Sequence, residues 1–154
     1  MIELRNASKS FGKTDAVKDV SFRMKEEQVF GLIGTNGAGK STVLRMAAGV
    51  LKPDEGLVLI DGMNAYDSVD AKKRCFFISD EPYFFSHATP RDMEKYYSSV
   101  YERFNREAYY MYLASFGLDS RRKIESFSKG MKKQLALICG ISSQTKYLLC
   151  DETF

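Results

Sequence analysis

The 154-residue sequence has no run of 18 apolar residues, so it predicts no helix that spans a membrane. Its opening, Met1-Ile2-Glu3-Leu4-Arg5, lacks the charged-then-apolar layout of a secretion signal and predicts a cytoplasmic protein. Cysteine is scarce. Cys75, Cys139 and Cys150 are scattered, with no CxxC or Cys/His spacing, which argues against a disulfide frame and a zinc site. All three lie in apolar stretches and are expected to be buried small hydrophobes. The single histidine, His87, is given no role. A net charge of +3 is too mild to imply a nucleic-acid partner. One patch is locally basic (Arg121, Arg122, Lys123, Lys129, Lys132 and Lys133), and it fits either a solvated helix face or a surface facing an anion. There is no internal repeat and no low-complexity segment.

What is present is the composition of an ordinary globular domain, 44% hydrophobic and 28% charged. Ile2 to Leu4 predicts a short strand, and Asp19 to Met24 alternates as a half-buried strand does. Val29-Phe30-Gly31-Leu32-Ile33 is a continuous apolar run, expected to be a strand buried on both faces. Ser41 to Ala48 has helical spacing, with Gly49 placed to end it. Lys52 to Gly56 is a turn, Leu57 to Ile60 a strand closed by Asp61-Gly62, and Cys75 to Ser79 a further strand. Residues 80–146 are predicted to be mainly helical. Thr89 and Pro90 open one helix, Asn105 to Phe116 forms a second ended by Gly117, and Ser128 to Ile141 forms a third. Tyr147 to Cys150 returns to strand. The predicted organisation is therefore 1–79, a core; 80–146, a helical subdomain; and 147–154, the start of a returning core.

Between the apolar run and the first helix stands Gly34-Thr35-Asn36-Gly37-Ala38-Gly39-Lys40-Ser41, the pattern GxxxxGK[ST]. Phosphate oxygens need donors at close range, and backbone N–H groups at bare glycines supply them. Lys40 brings a cation to the terminal phosphates. Ser41 offers a hydroxyl to magnesium, and the helix N-terminus favours the anion. A chance match in a chain this long is on the order of 1%. Far downstream, Leu148-Leu149-Cys150 is an apolar strand ending in Asp151-Glu152. Beside a phosphate loop, Asp151 supports a metal and Glu152 polarises the attacking water.

With these segments in order, the whole chain resembles the nucleotide-binding domain of ABC transporters. The opening Leu4 to Gly12, then Val20-Ser21-Phe22, is similar to that family's start. The resemblance implies that Phe11 stacks on adenine and that Thr42 joins the loop in holding ATP. Phe127-Ser128-Lys129-Gly130-Met131 falls where the family's signature stands, most often Leu-Ser-Gly-Gly-Gln. Ser128 and Gly130 keep that pattern and Phe127, Lys129 and Met131 depart from it. In the family, this segment reaches the γ-phosphate of ATP held by a second domain, in a head-to-tail dimer. At Asp80 most members have a glutamine that touches magnesium and water, and a shorter aspartate is expected to reach the metal through a water. Tyr83, Phe84 and Phe85 fall near the groove that receives the membrane subunit, or pack the helical insert.

The resemblance implies an α/β fold: a phosphate-loop core with a mixed sheet, a helical subdomain inserted, and an incomplete C-terminus. It implies an ATPase with ATP and Mg2+ as cofactors, Glu152 and Lys40 as catalytic residues, and Ser41, Asp151 and Asp80 at the metal. Its partners would be a membrane-spanning transporter subunit and a second ATP-binding domain, at the inner face of the cell membrane. The Ser-Lys-Gly-Met form is similar to that of bacterial exporters of peptides and antibiotics. Because the family continues beyond Asp151-Glu152, the chain is expected to be a fragment that binds nucleotide with little turnover. A soluble ABC-type ATPase and a non-hydrolysing ATP-dependent interaction module remain as alternatives.

Overall fold

The computed structural model describes residues 1–151. These fall into two compact units, Met1–Cys75 and Phe76 onward.

The first unit is built on a hairpin. Strand β1 (Ile2–Phe11) and strand β2 (Thr14–Met24) pair antiparallel, with Ile2 opposite Met24 and Phe11 opposite Thr14. Strand β3 (Glu55–Ile60) takes the other edge of β1, with Leu4 opposite Val58, and β4 (Met63–Asn64) follows it. The strand order is β2-β1-β3-β4. Alternation puts Ile2, Leu4, Val58 and Ile60 into the core, with Val43, Met46 and Ala47 of helix α1 (Lys40–Ala47) also buried. The first strand is longer than its apolar start suggests, because pairing on both edges satisfies the backbone of its polar half.

Two turns depend on left-handed backbone. Asp61 and Gly62 both have positive φ (50° and 82°), the geometry of a tight hairpin turn into β4. Gly56 has φ 77°, and a Cβ there would lie on the carbonyl oxygens of Arg5 and Asn6. A short helix, α2 (Val69–Lys72), was not expected. Ser68 starts it by accepting a hydrogen bond from the Ala71 N–H.

One strand expectation fails. No strand forms over residues 29–33, and Val29 and Ile33 are fully exposed rather than buried on both faces. An apolar run becomes a buried strand only where neighbours complete its ladder. Here β2 and β3 occupy both edges of β1, and among the described residues no strand pairs with this run. Phe30 is anchored instead by stacking on Phe22, with ring centroids 5.3 Å apart.

In the second unit, β5 (Cys75–Ile78) pairs with β6 (Tyr147–Cys150), and the Asp151 N–H donates to the Ile78 carbonyl at 2.9 Å. Between them lie α3 (Pro90–Val100), α4 (Arg106–Ser115) and α5 (Lys129–Ser142), with one 3-10 turn at Ile124–Ser126. Each helix starts with a side-chain cap. Thr89 and Asp92 form a reciprocal capping box ahead of Pro90, Asn105 accepts from Ala108, and Ser128 accepts from Met131. Phe76, Ile78, Met93, Tyr109, Leu135 and Cys139 form the centre of its core. Gly140 lets α5 approach the sheet: a Cβ there would be 2.8 Å from Leu148 and 3.1 Å from Ile78. The thiols of Cys75 and Cys139 are buried and pushed up to about 12 by desolvation, so both act as hydrophobes.

Candidate functional site

The phosphate loop leads directly into α1. Gly39 is the residue before the helix, with φ 82°, and Gly37 has φ 84°. Gly39 is constrained by packing as well as by conformation, since a Cβ would lie on the Ala16 carbonyl oxygen and 3.1 Å from Val17. At Gly37 a Cβ would meet nothing within 4 Å of the chain itself. Gly39 therefore seats the loop on β2, whereas Gly37 leaves open space above it.

Lys40 folds back over the loop. Its Nζ donates to the carbonyls of Gly34 (2.8 Å) and Thr35 (2.9 Å), and the Ala38 N–H donates to the Thr35 carbonyl at 3.1 Å. The ammonium is thus held at the loop by neutral acceptors, which leave its full charge available to an anion. Asn36, Ser41 and Thr42 complete the turn and the start of α1. No acidic residue stands in the first turn of that helix, so nothing there opposes an anion at its N-terminus.

Phe11 ends β1 in the same unit and is 52% exposed, with the Lys9 ammonium 5.8 Å from its ring centroid. Its cross-strand partner is Thr14, two residues before Ala16, the contact of Gly39. Two strand residues span about 7 Å. One hairpin therefore carries both the exposed ring and the seat of the loop.

In the second unit, Ser128 caps α5, with Lys129, Gly130 and Met131 in its first turn. Gly130 is exposed, and the nearest atom to a Cβ there would be the Ser128 Oγ at 3.9 Å. Among the described residues nothing demands a glycine at that position, although glycine costs a helix about 1 kcal/mol relative to alanine.

Two members of the basic patch make contacts beside this segment that the sequence does not announce. Arg122 donates from Nε to the Ser126 Oγ and from a terminal nitrogen to the Ser126 carbonyl, both at 2.9 Å, and lies 5.6 Å from the Phe127 ring centroid. Lys133 donates to the Asp80 Oδ1 at 2.7 Å. That bond holds the Asp80 carboxyl below the usual carboxylate range against its desolvation, and the charges of Lys133 and Lys129 add to the effect. The four-residue spacing Arg122–Ser126 was a local signal for the first contact, and the second had none.

Asp151 is buried at the end of β6, and Glu152 lies outside the described residues. Among the described residues no group of three His, Cys, Asp or Glu side chains gathers as a metal cage. Magnesium is usually held by one or two protein oxygens plus substrate phosphates, so a cage of protein carboxylates is not required for it. Of the aromatics after β5, Phe84 packs on the core, while Tyr83 and Phe85 are exposed and meet edge to face at 6.3 Å.

A family model described as ABC transporter matches residues 17–154. The ABC transporter ATP-binding protein YtrB of Bacillus subtilis is 28% identical over 152 residues, covering 99% of this chain and 52% of that protein. The linearmycin resistance ATP-binding protein LnrL of the same organism is 28% identical over 158 residues, covering 99% of this chain and 51% of that protein. A solved dimeric structure of a bacterial ABC transporter cassette has a TM-score of 0.83 and 25% identity, covering 99% of this chain and 74% of that one. The chain spans about half the length of these two curated relatives.

Proposed function

Because this chain belongs to the ABC transporter family, we propose that it binds ATP with magnesium at residues 34–42 and serves in an ATPase that powers transport across a membrane. The observation that carries this is the Lys40 ammonium, held by the Gly34 and Thr35 carbonyls at the N-terminus of α1. An ammonium held by two backbone carbonyls at the N-terminus of a helix with no acidic residue in its first turn suits a polyphosphate.

In this reading Phe11 stacks on the base. Gly34 to Lys40 wrap the phosphates, and Thr42 supports the loop. Ser41 and Asp151 would give oxygen donors to magnesium, which when bound would neutralise charge developing on the phosphates. Glu152 is the base that polarises water.

Ser128, Lys129, Gly130 and Met131 serve a second copy or a second ATP-binding domain, in a head-to-tail dimer. A bare Gly130 that the chain itself does not require fits close approach by a group from outside. Among the described residues no helix is long and apolar enough to cross a membrane. In this reading a membrane-spanning subunit carries the solute. The exposed Tyr83 and Phe85 are the surface offered to it, at the inner face of the membrane. The name of LnrL, a linearmycin resistance protein, supports export of an antibiotic, peptide or similar solute.

The test is sedimentation equilibrium of the Glu152→Gln variant with and without Mg·ATP. The expected result is a dimer with ATP and a monomer with ADP, with the dimer lost in Ser128→Arg. A monomer under all conditions contradicts the head-to-tail assembly.

A further inference from the structure

Asp80 follows β5 by two residues, and its position is set locally. The Ser79 hydroxyl donates to the Glu81 carbonyl at 2.8 Å, which closes a turn around it. From that turn the Asp80 carboxylate reaches Lys133, whose side chain is only 20% exposed. Lys133 lies one helical turn beyond Lys129, on the same face of α5. It is five residues from the Ser128 cap, about 7.5 Å along the axis. The contact therefore acts on the first two turns of α5, which carry Ser128 and Gly130.

We propose that Asp80 anchors the start of α5 through Lys133, a positioning residue, and that Asp80 does not ligate magnesium. A metal at Asp80 would have to displace the Lys133 ammonium from a part-buried ion pair and sit beside two like charges, Lys133 and Lys129. Breaking that pair loses its attraction, and the like charges repel a metal in its place. The aspartate at position 80 and the lysines at 129 and 133 thus form one feature. An uncharged amide at position 80 would have no ion pair to offer this helix.

The metal half of the proposal rests on the nucleotide reading above, while the helix half does not. The experiment separates them. Amide hydrogen exchange over residues 129–135, without nucleotide, is compared in the unaltered chain, Asp80→Asn, Lys133→Gln, the double variant and Lys133→Arg. Each of the first two should speed exchange about two- to fivefold, the range of an ion pair near a surface. The double variant should be no faster than either single, and Lys133→Arg should stay at the unaltered rate. In parallel, Mn2+ titration of the ATP complex by electron paramagnetic resonance should give the same affinity within about twofold for Asp80→Asn and the unaltered chain. Unchanged exchange in Asp80→Asn, additive effects in the double variant, or a tenfold loss of Mn2+ affinity in Asp80→Asn overturns the proposal. A chain that binds no ATP at all sinks the nucleotide reading, and the exchange arm still decides the anchor.

Discussion

Gly37 and Gly39 share one backbone conformation, with φ near 83°, yet their surroundings differ, and alanine at each separates two costs. An alanine in left-handed backbone costs about 1–2 kcal/mol at either position. At Gly37 no further cost arises, because a Cβ meets nothing within 4 Å. At Gly39 the Cβ would lie on the Ala16 carbonyl oxygen, a backbone atom that no rotamer change can move. The loop would have to withdraw from β2 by on the order of 1 Å to reach van der Waals distance. Overpacking of this kind adds about 1–3 kcal/mol. Gly39→Ala should therefore lose about 1–3 kcal/mol more stability than Gly37→Ala. The assay is urea unfolding followed by circular dichroism, with the slope checked to be common to both variants. Equal losses, or a smaller loss at Gly39, would refute the seating of the loop on the hairpin through Gly39.

The remaining predictions concern single side chains. Phe11→Ala should change stability by no more than about 0.5 kcal/mol, because the ring is half exposed. It should also weaken a fluorescent ATP analogue about two- to tenfold, the worth of an aromatic stack. Ser128→Ala removes the acceptor for the Met131 N–H and should cost about 1 kcal/mol, read by thermal melting. Arg122→Met should raise hydrogen exchange at Phe127 and Ser128 and leave ATP-analogue affinity unchanged. Glu3 is buried and hydrogen-bonded to Arg5 and Arg23, which lower its pKa from 4.5 to about 2. Its contribution to stability is fully present above pH 4.5 and is lost as pH falls through about 2. An acid titration of Glu3→Gln should lack that component, and an unchanged acid profile would contradict the pairing.

Local chemistry made much of this molecule legible in its sequence. Thr89-Pro90, Asn105 and Ser128 marked three helix starts, because each cap is decided within four residues. The glycines at 49 and 117, with φ 70° and 66°, follow α1 and α4 for the same local reason. The run 29–33 misled because apolar continuity reports a preference for burial, whereas strand formation needs partners that no window of sequence contains. Lys133–Asp80, 53 positions apart, could not be read either, since a lysine on a helix face has no local mark of its distant partner. The phosphate loop was legible as a pattern, and its support was not. Nothing in the order Ala16, Val17, Gly39 announces that the third residue packs on the first two.

Titration of the chain with a fluorescent ATP analogue and Mg2+, beside the Lys40→Ala variant, tests the central claim most directly. Saturable binding, displaced by ATP and reduced at least tenfold by Lys40→Ala, is the predicted result. Absence of binding by the unaltered chain, or binding that Lys40→Ala leaves unchanged, would contradict it.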